Sequence, residues 1–141
     1  MTTIDFYFNA EDRMQIACRL AGKAVAQGKR VLVWAPQPDS AHQLDRMLWT
    51  TPATGFVPHC MAHDALAAET PVLISAGATE PEGCAILLNL GDDCPPAFER
   101  FERLLEIVSR ADDERQGARQ RYRFYRERGY TITDHDLSSA A

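Results

Sequence analysis

No apolar run in the 141 residues approaches the roughly 18 that a membrane span needs, and the start, Met-Thr-Thr-Ile-Asp, has neither the basic region nor the apolar stretch of a secretory leader. These absences point to a cytoplasmic chain with no membrane partner. The four cysteines, Cys18, Cys60, Cys84 and Cys94, show no CxxC spacing, so a dense disulfide framework is not indicated and reduced, mostly buried thiols are expected. Glycine is missing from FYFNAEDRM, the stretch after the first β-prone run, so neither a dinucleotide fingerprint nor a P-loop follows it and nothing there frees the backbone to wrap phosphates. Ser75 and Ser109 lack the GxSxG setting of a nucleophile. No internal repeat or low-complexity tract is visible.

What is present is an ordinary soluble composition, 45% hydrophobic and 25% charged, in a length that suits one domain. Strand and helix signals alternate. Ile4 to Phe8 is β-prone, and Asn9 to Asp12 offers caps for a helix that carries Met14, Ala17, Cys18 and Ala21 and stops at Gly28. Arg30 to Ala35 is a strand apolar enough for burial on both faces, and Asp39 or Ser40 can cap a helix through Trp49. Pro71 to Ser75 and Ala85 to Leu90 are further strands. Phe98, Phe101, Leu104, Leu105 and Val108 recur at helical spacing, and a last helix runs from about Asp112 to Arg128. The expectation is a single three-layer α/β/α domain over 1–141, its central sheet mainly parallel and nucleotide-binding-like without a phosphate loop, with 131–141 a loose tail.

Asp39 and Asp92 follow strand ends, where a metal-dependent phosphatase keeps carboxylates, but aspartate serves equally as a cap or turn residue. His59, Cys60 and His63 are close in sequence, yet the remaining cysteines supply no second pair for a structural zinc. Catalysis, metal and cofactor are therefore left without a candidate site.

Charge is uneven. The net charge is -5, but the segment Arg115 to Tyr130 holds six arginines against one acid, Glu127. On a helix with Tyr122 at 0°, Arg115, Arg126, Arg119 and Arg123 fall at about 20°, 40°, 60° and 100°, while Ala118 and Tyr125 face away toward a core. Like charges at i, i+4 cost a few tenths of a kcal/mol each, and no acid along this stripe offsets them. Three readings stay open: a solvated face paired with acids elsewhere, an anion site where guanidinium groups grip carboxylate or phosphate beside Tyr122, or a single-strand nucleic-acid binder. A second surface candidate is Leu48-Trp49 with Phe56-Val57-Pro58.

GKRVLVWAPQPDSAHQLDRMLW, FVPH and ARQRYRFYRERGY together, spread over nearly the whole chain, resemble the chi subunit family of bacterial DNA polymerase III holoenzyme. The resemblance implies a nucleotide-binding-like fold without catalysis. It also implies an adaptor that grips the acidic, phenylalanine-ended C-terminal tail of single-stranded DNA-binding protein (SSB) and docks the psi subunit of the clamp loader, touching DNA only through SSB. Carried onto this sequence, the tail site is Arg115, Arg119, Tyr122, Arg123 and Arg126. The psi surface is Trp49 and Phe56, and the state is a monomer or a 1:1 heterodimer with psi. The rival functions are direct single-strand nucleic-acid binding and, less favoured, a metal-dependent phosphatase-like enzyme.

Overall fold

A computed structural model describes residues 2–50, 59–61, 70–76 and 84–137. They form β1 (Thr3–Ala10), α1 (Arg13–Ala26), β2 (Val31–Trp34), α2 (Pro38–Thr50), β3 (His59–Met61), β4 (Val72–Ser75), β5 (Ile86–Asn89), β6 (Arg103–Ser109), α3 (Asp112–Glu127) and β7 (Thr131–Asp136). The strands make one sheet in the order β3-β4-β2-β5-β6-β1-β7, and each pairing in it is parallel. The expected α/β/α layering is what forms.

Alternation along the strands sorts the core into two halves. Val31, Val33, Ile86, Leu88, Leu105 and Ile107 face α1 and α2, where they meet Ile16, Ala17, Ala21, Leu44 and Leu48. Ile4, Phe6, Leu32, Leu87, Leu104 and Val108 face α3, where they meet Ala118 and Tyr125. Burial on both faces explains the near-continuous apolar runs. Asp12 caps α1 through its side chain, which accepts from the backbone N–H groups of Met14 and Gln15, and Gly28 follows the helix at φ 75°. Helix α2 begins at Pro38, a residue before the expected caps, because proline's fixed φ suits a first helical position.

Two expectations fail here. Residues 98–108 are not a helix: Phe98–Arg100 is a single 3-10 turn and Arg103–Ser109 is the strand between β5 and β1. Five consecutive buried residues, Leu104 to Val108, satisfy a doubly covered strand as well as they satisfy helical spacing, and neighbours on both sides decide it. Residues 131–136 are not loose either. They form β7, paired with β1 from Thr3↔Thr131 to Phe8↔Asp136, an edge strand whose exposure made it read as tail.

The chain turns to α1 after β1 and to the opposite face after β6, and these two strands are neighbours. The crevice outside their carboxyl ends is thus the switch point of the sheet, the place where such folds present ligand sites.

Candidate functional site: an arginine stripe beside an apolar cleft

Helix α3 buries Ala118, Arg121 and Tyr125, the side turned away from the expected stripe. Asp112, Asp113 and Glu114 in its first turn complement the helix dipole. Arg115, Arg119, Arg123 and Arg126 are exposed, and none of the four makes an ion pair with a described acid. Tyr122 is half-buried. Its ring sits 5.0 Å from that of Phe6 and 6.3 Å from that of Phe8, and its hydroxyl donates to Asp134 Oδ2 at 3.3 Å. Burial and the Asp134 carboxylate raise its pKa, so it remains a neutral donor.

Alongside lies a cleft of about 330 Å³ lined by Phe8, Asn9, Val108, Ser109, Arg115, Arg119 and Asp136. Arginines form one wall, and Phe8 and Val108 supply apolar surface between the walls. Asn9, at φ 63° in the irregular end of β1 where the register with β6 shifts, donates through Nδ2 to Asp136 Oδ1 at 2.8 Å. Asparagine tolerates this left-handed backbone better than most residues. The sequence reading missed Phe8, Asn9, Val108 and Asp136. Only the pairing of β1 with β6 and β7 brings these distant positions to α3, and no local signal marks them.

Arg121 belongs to a different system. Its Nε donates to Glu106 Oε1 and Oε2 at 3.2 and 3.3 Å, and its Nη1 donates to the Asp92 carbonyl at 2.6 Å. The Glu106 carboxylate, fully buried, also accepts from the Tyr125 hydroxyl at 2.7 Å and from Asn89 Nδ2 at 3.0 and 3.1 Å. Desolvation and the adjacent carboxylate push the Tyr125 hydroxyl far above the usual tyrosine range, so it acts only as a donor. One of the six arginines thus holds α3 to the sheet while four others face solvent. Two signals in the sequence pointed this way: Arg121 lies off the stripe by helical angle, and Glu106 interrupts an apolar run.

At the carboxyl ends of β5 and β6 the guanidinium of Arg13 is tied to the backbone. It donates to the carbonyls of Ile107 at 3.0 Å and Gly91 at 2.9 Å, and lies 3.7 Å from Glu114. Burial lowers its pKa, and Glu114 opposes that effect. A smaller cavity of about 180 Å³ lies between it and Arg121. Of the aspartates weighed for catalysis, Asp39 is exposed in the first turn of α2, and Asp92 serves Arg121 through its backbone carbonyl. His59 Nε2 lies 3.1 Å from Asp45 Oδ1, whereas His63 is outside the described residues. Among the described residues no cluster of three or more metal-ligating side chains forms, and no helix is long and apolar enough to cross a membrane. Cys18 and Cys84 are buried free thiols and Cys94 is a half-buried one. The Trp49 side chain and the whole of Phe56 also lie outside the described residues.

Residues 1–133 match the family described as DNA polymerase III chi subunit, HolC. Three proteins named DNA polymerase III subunit chi are similar along almost their full length. That of Pseudomonas aeruginosa is 37% identical, covering 97% of this chain and 98% of its own. That of Escherichia coli is 31% identical over 93% and 88%, and that of Haemophilus influenzae is 29% identical over 96% and 97%. The chain belongs to the DNA polymerase III chi subunit family, an accessory rather than a catalytic component of that polymerase.

Proposed function

We propose that this chi-family chain is a non-catalytic adaptor whose α3 stripe and neighbouring cleft hold the acidic C-terminal tail of SSB, linking it to psi and the clamp loader. The observation that carries the reading is the set of four exposed guanidinium groups, Arg115, Arg119, Arg123 and Arg126, which form no ion pair among the described residues and stand beside an apolar cleft. Like charges so aligned repel one another, and an acidic guest relieves that repulsion.

In this reading the guest's terminal carboxylate and its aspartates pair with the guanidinium forks. Its phenyl ring lies against Phe8, Val108 and the edge of Tyr122. Each charge-assisted contact at an exposed site contributes about 1 kcal/mol, so binding is modest and weakens with salt. Several tails on one SSB oligomer raise the effective affinity. The psi-docking role rests on the family resemblance at Trp49 and Phe56. The 1:1 complex with psi and the cytoplasmic setting belong to the same reading.

The test is a titration with a labelled acidic peptide ending Asp-x-Pro-Phe, with and without the terminal phenylalanine. Arg119→Ala and Tyr122→Ala should each weaken binding by about five- to tenfold without changing the fold. Full retention of affinity by both variants rejects the site. The arginine and tyrosine combination also favours a second reading, direct single-strand binding, which requires tight oligonucleotide binding without SSB.

A further inference from the structure

Strand β7 places its residues alternately on the two faces of the sheet. Ile132 packs with the cluster containing Phe8 and Tyr122, Asp134 accepts from the Tyr122 hydroxyl, and Asp136 lines the cleft with Arg115 and Arg119, so all three face α3. His135 faces the other way, stacked on Tyr7 at 4.4 Å and bonded to Asp5. Asp134 and Asp136 are exposed; Asp136 is held at the cleft by a hydrogen bond from Asn9, and Asp134, two residues before it on the same face, accepts one from Tyr122. Among the described residues Asp134 forms no ion pair with a guanidinium of the stripe. The groove is therefore cationic along α3 and anionic along β7.

We propose that Asp134 and Asp136 are specificity residues that keep single-stranded nucleic acid off the arginine stripe while admitting a peptide end. This rests on the reading of the stripe as a peptide site. Grooves that track a single strand are basic along the backbone path, because a phosphate recurs at every nucleotide. A strand laid along α3 here brings successive phosphates against the β7 carboxylates, and such like-charge juxtaposition is how an interface rejects a wrong partner. A peptide end turns its carboxylate to the arginines and an uncharged ring to Phe8 and Val108, which leaves little charge facing β7. A chain that works beside single-stranded DNA needs this discrimination, since arginine plus aromatic surface alone binds either guest.

The test compares wild type with an Asp134→Asn/Asp136→Asn double variant, in which the amides keep hydrogen-bonding capacity toward Tyr122 and Asn9. A control, Glu99→Gln/Glu102→Gln, makes the same change in net charge at exposed positions near the amino end of β6. Anisotropy of a labelled oligo-dT at low salt should show about tenfold tighter binding for the aspartate variant and a change under twofold for the control. The acidic peptide should tighten by no more than about threefold. Equal gains in both variants reduce the effect to net charge and overturn the proposal, as does no gain in either. Should wild type fail to bind the peptide, the tail-site reading falls, and the oligonucleotide comparison still decides the role of the two aspartates.

Discussion

Replacing Arg121 with methionine is the sharpest test of how α3 is held. The change keeps most of the apolar stem and removes the guanidinium. Glu106, at 0% exposure, would retain Tyr125 and Asn89 as donors but lose the guanidinium that pairs with it, and the Asp92 carbonyl would lose its 2.6 Å donor. Breaking one side of a buried ion pair costs about 3–5 kcal/mol, chiefly because the remaining charge stays desolvated. At roughly 3 °C per kcal/mol for a domain of this size, the expected fall in Tm is about 10–15 °C. Urea unfolding at pH 7, followed by circular dichroism, measures the loss directly. Adding Glu106→Gln to Arg121→Met should recover about 1–2 kcal/mol, because the buried charge is then gone. A loss under about 1 kcal/mol for the single variant, or a double variant no more stable than the single, refutes the argument. Where the variant remains folded, its affinity for the acidic peptide should stay within about twofold of wild type, since Arg121 is not on the stripe.

Three further outcomes are expected. Burial raises the Cys18 thiol to about 11 and also pushes the Tyr7 and Tyr125 hydroxyls up. These groups ionise first in the unfolded chain, so their contribution is complete below about pH 9 and is lost as pH rises; Cys18 alone accounts for about 2 kcal/mol between pH 9 and 11. Chemical denaturation across pH 7–11 should show that decline, and a flat profile would contradict it. Gly91→Ala should cost about 1–3 kcal/mol, because the added Cβ would lie 2.6 Å from Trp34 Cζ3 and 2.9 Å from Pro36 Cγ; an unchanged urea midpoint would show that the ring can move aside. Arg13→Met should destabilise by about 2–3 kcal/mol, as the carbonyls of Ile107 and Gly91 lose a charged donor, and thermal melts should register the loss.

The stripe was readable from sequence because helical geometry fixes the angles between Arg115, Arg119, Tyr122, Arg123 and Arg126 once a helix is granted, and Gly129 and the acidic first turn mark its ends. The alternation of elements was readable for a similar reason. Strand β6 was not, since the spacing of Phe98, Phe101, Leu104, Leu105 and Val108 fits a helix while the buried run Leu104 to Val108 fits a doubly covered strand, and only its neighbours choose. Strand β7 was hidden by Thr-Ile-Thr-Asp-His-Asp, whose half-buried residues gain their partners only by joining β1. The cleft needed both corrections: without β6 and β7 as strands, Val108 and Asp136 never reach Arg115. The pairing of Arg121 with Glu106 required knowing which face each occupies, which helix angles alone supply for one partner and not for the other.

Strand β1 pairs on one side with β6 and on the other with β7, so Thr3 meets Arg103 and Thr131. Strand β1 thus has neither neighbour until about a hundred further residues have been translated. At about 5–20 residues per second, Ile4, Phe6 and Phe8 wait for several seconds as a nascent, aggregation-prone segment. A nonsense mutation ahead of codon 131 would leave that segment permanently half-mated, and quality-control proteases, rather than a weakened replication machine, would be its first consequence.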